Sequence, residues 1–307
     1  MGRVVVSGAT SFIGVHLVRA LLSAGSDVTA VVRPNTAKND LLLPENANLK
    51  YLELDLSEYS HLHEYLIETP DIYFSLAWNG TRGMDRDDFN LQSMNYKYSI
   101  QGLESILKTG CRRVITAGSQ AQYGLYSGRI TEETAEKPVT QYGIHKLKFY
   151  NEATEICSAV GASLKEPRFF SLYGPLDSDK TMIVSLIKSM LKGESCNLTL
   201  GVQKWDFLYI SDAIDALLCL AHKPCADGVY NLGSGISKPL KEYVYEIRDI
   251  LDSKSELIFG AIPYPTTGMV SIEPDISKIK EQTGWAPKIP FGKGILEVIK
   301  AIQVRSY

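Results

Sequence analysis

The sequence lacks several features that would point away from an ordinary intracellular enzyme. Its 307 residues include only five cysteines, an odd number with no CxxC pair, which predicts reduced thiols in a cytoplasm rather than a disulfide framework. The formal net charge of -3 provides no basic field for nucleic acid. No apolar run is long enough to span a bilayer, and the start MGRVVVSG is too short and glycine-rich for a signal peptide. A cytoplasmic enzyme that binds neither nucleic acid nor membrane is the expectation.

The first half of the chain alternates between strand and helix patterns. Apolar and β-branched runs predict strands over 3–7, 27–32, 49–54, 72–76 and 113–117, and helical spacing predicts helices over 12–22 and 94–108. Strand, crossover and strand in repeated order predict a parallel sheet with helices on both faces. The length suits one such domain with a smaller partner. The expected fold is therefore α/β, a Rossmann-like doubly wound parallel sheet.

After residue 168 the alternation loosens, and the last hundred residues are rich in X-Pro pairs. Helices are predicted over 181–192 and 212–222, and short strands over 198–200 and 229–232. Frequent X-Pro pairs are typical of a small, irregular substrate lobe rather than of another sheet repeat. The expected organisation is a sheet domain over 1–168 and a lobe over 169–307, with a later strand near 205–232 that returns to the sheet.

A glycine-rich turn joins the first predicted strand to the first predicted helix, where the sequence reads SGATSFIG over residues 7–14. A turn of this kind lets backbone amides approach a pyrophosphate at the positive end of the helix. Glycine at each end permits the tight turn and the close packing of helix on strand. The residues predicted to bind a dinucleotide here are Gly8, Thr10, Ser11, Phe12, Ile13 and Gly14. A plain turn between a strand and a helix is the alternative.

The end of the second predicted strand indicates which dinucleotide binds. NAD sites place a carboxylate there, about 20 residues beyond the turn, for the ribose hydroxyls, whereas this chain has Val32 followed by Arg33. Arg33 is predicted to bind a 2′-phosphate through charge-assisted hydrogen bonds, with a solvated strand end as the alternative. NADP is thus favoured, and NAD stays open. Asp55 and Leu56, after the third strand, are predicted to lie beside the adenine.

Tyr142 and Lys146 lie four residues apart, on one face of a predicted helix. A neighbouring ammonium favours the phenolate, so Lys146 is expected to lower the pKa of Tyr142 and let it exchange a proton near neutral pH. Ser119 follows the fifth predicted strand and reaches the same sheet edge, where ligands of open α/β sheets bind. These three side chains are the candidate catalytic residues, and the Ser119 hydroxyl is predicted to hydrogen-bond a substrate oxygen.

These motifs together resemble the extended short-chain dehydrogenase/reductases, in the NAD-dependent epimerase/dehydratase group that acts on nucleotide sugars. The resemblance covers nearly the whole chain, and further marks are LAW over 76–78, RFFSLYGP over 168–175, DFLYISD over 206–212 and YNLGSG over 230–235. It implies hydride transfer between a nicotinamide and a sugar carbon, with Tyr142 moving the hydroxyl proton and Lys146 also holding the nicotinamide ribose. It implies further cofactor contacts at Leu76, Ala77, Trp78, Asn95, Ala117, Phe169 and Ser171. The substrate contacts it implies are Trp78, Ser119, Gln120, Tyr123 and Ser171.

Three departures from the family pattern narrow the activity. The middle glycine of the turn is Ser11, a small change that slightly crowds the pyrophosphate. The Asp-Glu pair that 4,6-dehydratases carry directly after the catalytic hydroxyl is Gln120 and Ala121 here, so dehydration is disfavoured. An arginine that relatives often use to hold nucleotide phosphates is Trp205, which leaves the diphosphate contact unassigned.

Two enzymatic hypotheses follow, and a third comes from another class. The first hypothesis is hydride transfer from NADPH to C4 of a nucleotide-linked 4-keto-6-deoxyhexose. It is favoured by Arg33 and by the absence of a carboxylate at the end of the second predicted strand. It is also favoured by the segment over 259–264, which is similar to a segment in reductases that make deoxyhexoses. The alternative is a 4-epimerase with tightly bound NAD. The third hypothesis is a non-catalytic protein that senses NADP, and the intact Ser119, Tyr142 and Lys146 argue against it.

Four other polar residues have simpler interpretations. His61 and His63 have no third ligand nearby in the sequence, so a solvated helix face is favoured over a metal site. Arg82 and Arg86 have the reach for a substrate carboxylate or phosphate, but loop arginines are commonly solvated, which is the expectation here.

A homodimer is expected from the resemblance, because relatives pair through the helix over 94–108 and the helix after residue 140. The first of these helices carries an apolar stripe formed by Tyr96, Ile100, Leu103 and Leu107. The same stripe would also serve to cover the sheet of its own chain.

Overall fold

The structure is a computed structural model of this chain, and it describes residues 2–36, 43–126, 128–264 and 270–305. The strands are β1 Arg3–Ser7, β2 Asp27–Val32, β3 Leu49–Glu53, β4 Ile72–Ser75, β5 Arg113–Thr116, β6 Gly118–Ser119, β7 Arg129–Ile130, β8 Ser163–Phe169, β9 Ser171–Tyr173, β10 Cys196–Leu198, β11 Lys204–Trp205, β12 Phe207–Tyr209, β13 Gly228–Leu232, β14 Lys238–Pro239, β15 Leu257–Phe259 and β16 Glu273–Pro274. The helices are α1 Phe12–Ser23, α2 Phe89–Lys108, α3 Gln141–Ala159, α4 Met182–Leu191, α5 Ile210–His222, α6 Leu240–Ile250, α7 Ser277–Thr283 and α8 Phe291–Arg305, with 3₁₀ helices at Leu56–Tyr65, Gly83–Asp87 and Gln120–Gln122. Within these ranges, no helix has both the length and the apolar character needed to cross a membrane.

One parallel sheet organises the fold, with strand order β13-β8-β5-β4-β1-β2-β3. The short β6 pairs with β8 as well. From β1 the chain winds outward to β3, and then it continues from β4 on the other side of β1. Winding in both directions leaves a crevice at the carboxyl ends of β1 and β4, where folds of this type bind ligands. The predicted doubly wound α/β fold is confirmed.

Apolar layers cover both faces of the sheet. Leu17 of α1 and Leu217 of α5 belong to the layer on one face. The other layer is built by α2, α3 and the 3₁₀ helix Leu56–Tyr65, and it includes Leu103 and Phe149. Because both faces are covered, inner strands such as β1 and β4 are mostly apolar. The apolar stripe of α2 belongs to this second layer, so Ile100, Leu103 and Leu107 cover the sheet of their own chain.

A separate hydrophobic core, formed by residues from the second half of the chain, is rich in aromatic rings. Tyr173, Phe207, Tyr243 and Phe291 pack together there, with ring centroids 4.6 Å apart for the closest pair, Tyr243 and Phe291. The helices α4, α6 and α8 surround these rings with aliphatic side chains. After passing through β9 to β12 the chain returns to the large sheet, where β13 pairs in parallel with β8.

Several elements differ from the sequence prediction, among them β8, β10 and α2. β8 was not predicted, because Lys165, Glu166 and Arg168 interrupt its apolar pattern. The strand predicted over 198–200 is wrong in its bounds and spans Cys196–Leu198. The helix predicted over 94–108 begins earlier, at Phe89, because the Asp88 side chain caps it by accepting a hydrogen bond from the Leu91 amide at 3.0 Å.

Candidate active site

The crevice between β1 and β4 joins segments that are far apart in the sequence. Ser7, at the end of β1, accepts hydrogen bonds through Oγ from the amides of Leu76 at 3.2 Å and Ala77 at 3.4 Å. This contact ties the segment after β4 to the start of the glycine-rich turn. The cofactor residues predicted after these two strands are therefore neighbours in space.

The glycine-rich turn is a backbone cradle with no room for a side chain at Gly8 or Gly14. Gly8 has a φ of +67°, and a Cβ there would lie 2.8 Å from the Ala77 nitrogen. A Cβ on Gly14 would lie 2.2 Å from the Gly8 carbonyl oxygen. The first amides of a helix have no partners within it, and they attract anions. The turn therefore fits the pyrophosphate of a dinucleotide beside Thr10, Phe12 and Ile13.

Ser11, which replaces the middle glycine, caps α1. Its Oγ accepts a hydrogen bond from the Gly14 amide at 3.0 Å, and its own amide donates to the Gly8 carbonyl at 2.9 Å. The Ser11 side chain is exposed, so the hydroxyl lies at the surface of the turn. The substitution thus adds an N-cap to α1, where a glycine would leave the Gly14 amide without this partner.

The ends of β2 and β3 carry the two residues predicted to select the nucleotide. Arg33 is exposed directly after β2. Asp55 caps the 3₁₀ helix Leu56–Tyr65, accepting hydrogen bonds from the Ser57 hydroxyl at 2.6 Å and the Ser57 amide at 3.0 Å. These bonds to Ser57 hold the pKa of Asp55 below its usual value, and the charge of Arg33 adds a smaller effect. The Asp55 carboxylate is thus occupied locally, whereas Arg33 presents its charge to solvent.

Asn95 of α2 fixes the backbone of the segment after β4 through two hydrogen bonds. The Asn95 side chain donates to the Asn79 carbonyl at 2.9 Å and accepts from the Asn79 amide at 3.1 Å. Trp78 donates through Nε1 to Gln92 Oε1 at 2.7 Å. Asn95 is buried, so the structure gives it a supporting position under the predicted cofactor loop, while Trp78 is only half-buried.

Tyr142 and Lys146 project from the first turns of α3 beside this loop. The helix is capped by Thr140, whose Oγ1 accepts from the Gly143 amide at 3.1 Å. The Lys146 ammonium donates to the Ala117 carbonyl at 2.8 Å and lies 4.0 Å from the centroid of the Trp78 ring. The Tyr142 and Trp78 rings meet edge to face at 6.3 Å.

Electrostatics at Tyr142 differ from the sequence prediction. Burial raises the pKa of Tyr142, and the groups that oppose this rise are the Ser119 hydroxyl, through a hydrogen bond, and then the Arg86 charge. Lys146 does not contribute, so the expectation that it lowers the pKa of Tyr142 is wrong for this arrangement. Burial also lowers the pKa of Lys146 to about 7. Its charge is therefore only partly present at neutral pH.

Replacing Lys146 by methionine should raise the melting temperature, most strongly at and below neutral pH. The pKa of Lys146 falls from 10.5 to about 7 on folding, so between these values the unfolded chain binds a proton that the folded chain does not. This lysine therefore makes the free energy of unfolding rise with pH across that window, and Lys146→Met removes the rise. Thermal denaturation at several pH values measures it. The exposed Lys148→Met on the same helix is the control, and a gain that does not shrink toward alkaline pH would contradict the prediction.

The remaining predicted substrate and cofactor residues differ in how far they are buried. Gln120 and Ser171 are half-buried, and Ser171 begins β9 just after the buried Phe169. Tyr123 is 1% exposed, and its hydroxyl donates to Asn231 Oδ1 at 2.7 Å. The structure therefore places Tyr123 in the core under the site, where it does not face a ligand.

A buried ion pair that the sequence did not indicate lies behind the site. Arg168 and Glu166, both on β8, are 0% exposed, and Arg168 Nε lies 3.0 Å from Glu166 Oε1. Gln122 donates to the same carboxylate oxygen at 2.8 Å, and Arg168 also pairs with Glu136. Gly118 leaves the space for this pair, since a Cβ there would lie 2.6 Å from Glu166 Cγ.

The two loop arginines expected to be solvated both have partners. Arg82 Nη2 lies 2.9 Å from Asp177 Oδ1, and the Asp177 side chain is buried. The Arg86 guanidinium carbon lies 5.0 Å from the centroid of the Tyr142 ring. Their position in the sequence, directly after β4, indicates that they lie near the sheet edge where ligands bind.

The two histidines of the 3₁₀ helix Leu56–Tyr65 have polar partners. His61 Nδ1 lies 2.8 Å from Glu64 Oε1, and His63 Nδ1 lies 2.8 Å from Ser105 Oγ. Across the part of the chain that the structure describes, no group of three or more His, Cys, Asp or Glu side chains is arranged to hold a metal ion.

The fold and this site define a Rossmann-type protein with a dinucleotide cradle at the switch point of its sheet. The chain belongs to the NAD dependent epimerase/dehydratase family, whose sequence profile matches residues 4–233. The resemblance predicted from the motifs is thereby confirmed, and so is the prediction of an enzyme.

Named relatives and solved structures extend over nearly the whole chain. The sequence is 24% identical to UDP-N-acetyl-alpha-D-glucosaminuronate decarboxylase of Bacillus cytotoxicus, over 97% of each chain. The UDP-glucose 4-epimerase of Thermotoga maritima, solved with UDP-glucose, superposes with a TM-score of 0.89 at 21% identity, over 99% of this chain and 100% of that one. MoeE5, solved with UDP-glucuronic acid and NAD, superposes with a TM-score of 0.84 at 26% identity, over 100% of both chains.

Proposed function

We propose that the protein reduces C4 of a nucleotide-linked 4-keto-6-deoxyhexose, with NADPH as the hydride donor. When bound, the nicotinamide supplies the hydride to the carbonyl carbon. Tyr142 donates its hydroxyl proton to the carbonyl oxygen, so the ketone becomes a secondary alcohol. Ser119 hydrogen-bonds the same oxygen and holds it beside Tyr142. Lys146 holds the nicotinamide ribose, next to the Trp78 ring.

The observation that carries the choice of a reductase is the end of β2. The strand stops at Val32, and the exposed cation Arg33 stands where an NAD site has a carboxylate. A guanidinium suits a 2′-phosphate, which it binds through charge-assisted hydrogen bonds. The proposed 4-ketoreductase would consume NADPH once per turnover, so a site suited to NADPH supports net reduction.

The residues after the catalytic serine support the same choice. Gln120 and Ala121 follow Ser119, and neither side chain can serve as an acid or a base. Elimination of water from the sugar requires such a pair, so a 4,6-dehydratase is disfavoured. Simple hydride and proton transfer at one carbon requires only Tyr142 and Ser119.

Replacing Arg33 by glutamine should weaken NADPH binding roughly 10- to 100-fold, since one charge-assisted hydrogen bond is lost. NADH binding should change little, because NADH has no 2′-phosphate. The dissociation constants of both cofactors measure this effect. Lys50→Gln is the matched control, since Lys50 is an exposed cation on the neighbouring strand β3 and the change in net charge is the same. Equal weakening of NADPH binding by both variants would show only a general charge effect.

The experiment that tests the proposed function follows NADPH oxidation with a panel of nucleotide-linked 4-keto-6-deoxyhexoses, with NADH in parallel. Rapid loss of NADPH with one keto sugar, together with formation of the 4-hydroxy product, is the expected result. No consumption of either cofactor with any member of the panel would overturn the proposal.

A second candidate is a 4-epimerase, because MoeE5 and the UDP-glucose 4-epimerase of Thermus thermophilus are solved with NAD. Such an enzyme oxidises and re-reduces one carbon, so it has no need to release its cofactor. Nucleotide released by denaturing the purified protein separates the two candidates. NAD in a molar ratio near one, with no net consumption of NADPH, would favour the epimerase.

We also propose a cytoplasmic homodimer that pairs through α2 and α3. Phe89 and Met94 of α2 and Ile144 of α3 are exposed apolar side chains on these helices. Their exposure supports a contact between two copies. Light scattering tests the assembly, and a monomer at enzyme-assay concentrations would remove this part of the proposal.

A further inference from the structure

The segment between β4 and α2 uses its two arginines in different ways. Arg82 bridges to Asp177 of the lobe, as described above. Arg86 instead lies over the ring of Tyr142, with its guanidinium carbon 5.0 Å from the ring centroid. The Arg86 Nε is buried and has no hydrogen-bond partner among the described residues. A cation over an aromatic face at this distance is attracted by the ring, and removal from water strengthens the attraction.

The backbone around Arg86 is fixed by hydrogen bonds. Gln92 of α2 donates through Nε2 to the carbonyls of Gly80 and Asp85, at 2.9 Å each. The Asp87 carboxylate accepts from the Gln141 amide, at the start of α3, at 3.3 Å. The 3₁₀ helix Gly83–Asp87 is thus joined to both helices that flank it. Arg86 is therefore carried by a supported turn and is held at a defined distance from Tyr142.

The surroundings of Tyr142 explain what a fixed cation does there. Burial disfavours the phenolate, and the negative charge of Glu166 on β8 disfavours it further. Ser119 on β6 favours it through a hydrogen bond. On its own helix, the Lys146 ammonium lies 6.0 Å from the Tyr142 ring centroid, but only 4.0 Å from that of Trp78. Lys146 is partly neutral near pH 7, whereas an arginine stays charged throughout.

We propose that Arg86 is a positioning residue for proton transfer, whose permanent charge stabilises the phenolate form of Tyr142. The inference rests on the proposed role of Tyr142 in reduction. During that step the O–H bond of Tyr142 breaks, the proton passes to the carbonyl oxygen, and the electron pair stays on the phenolate oxygen. The negative charge spreads into a ring that already faces the Arg86 guanidinium, so Arg86 does not have to move to stabilise it.

The test is a pH titration of Tyr142 by NMR, in protein whose tyrosines carry an isotope label at Cζ. The resonance missing in Tyr142→Phe identifies Tyr142, and its shift with pH gives the midpoint of ionisation without any substrate. Arg86→Met should raise this midpoint by about one pKa unit. Arg86→Lys keeps a cation and should keep part of the effect. Arg82→Met is the matched control, four residues away on the same segment, and should leave the midpoint unchanged.

Three outcomes would overturn the inference. The first is the same midpoint in Arg86→Met and wild type, and the second is an equal shift in Arg82→Met. The third is a Tyr142 that stays protonated over the whole range in which wild type is folded. A rise in KM with an unchanged titration would indicate that Arg86 contacts the substrate instead. Because the titration needs no substrate, it can fail while the reductase assay succeeds, and the reverse also holds.

Discussion

Tyr142→Phe should lower the rate of keto-sugar reduction by at least about a hundredfold, because it removes the proton donor. Phenylalanine fills the same space and keeps the edge-to-face contact with Trp78 at 6.3 Å. The variant should therefore fold and bind NADPH as wild type does. Steady-state kcat and the NADPH dissociation constant, measured together, show whether the loss is confined to the chemical step.

Tyr150→Phe is the matched control for this result. Tyr150 lies two turns further along α3 and is half-buried, so the same hydroxyl is removed from the same helix away from the crevice. We expect this variant to keep its rate within a few-fold of wild type. A Tyr142→Phe enzyme that retains its rate would remove Tyr142 from the mechanism. The NADP-sensing hypothesis would be favoured if neither wild type nor Tyr142→Phe reduced a keto sugar and the variant still kept the protein's full effect in the cell.

Glu166→Met should destabilise the fold by about 3–5 kcal/mol, because it leaves the buried Arg168 without its buried partner. Both side chains are 0% exposed, and only the more exposed Glu136 would remain beside the guanidinium. Methionine is close to glutamate in length and leaves no cavity, so the loss reports the missing carboxylate, including its hydrogen bond from Gln122. Chemical denaturation measures the free energy of unfolding.

Two further variants make this stability result specific. Glu297→Ala breaks the exposed pair with Lys300 and should cost no more than about 1 kcal/mol. Glu166→Met combined with Arg168→Met removes both buried charges and should recover part of the loss. A double variant that is no better than Glu166→Met would mean that packing, and not the uncompensated charge, sets the stability.

The architecture was predictable because its signals are local. The β-branched run of β1, the turn from Gly8 to Gly14 and the apolar spacing of α1 are all contained in one stretch of sequence. β8 has no such signal, because Lys165, Glu166 and Arg168 give it the composition of a surface segment. The buried charges of Glu166 and Arg168 pair with each other, and Gln122 and Glu136, from other parts of the chain, add further partners.

The candidate site was likewise predictable only where it depends on local patterns in the sequence. Ser119, Tyr142 and Lys146 follow from the rule that the carboxyl ends of parallel strands share one edge. Arg86 was predicted to have the reach for a substrate carboxylate or phosphate but to be solvated, since its position over Tyr142 depends on the hydrogen bonds that Gln92 and Gln141 make with its turn. The pKa of Lys146 also depends on burial, which a spacing of four residues does not reveal.

The return of β13 to the sheet makes the two parts of the chain interdependent. β13 pairs with β8 along five residues, from Gly228 opposite Lys165 to Leu232 opposite Phe169. A fragment that stopped at residue 168 would turn β8 into an uncovered edge strand, with a row of unpaired amides and carbonyls open to other chains. Such a fragment should aggregate rather than serve as a free-standing cofactor-binding module. A shortened version designed to bind NADP alone would have to carry Gly228–Leu232 with it.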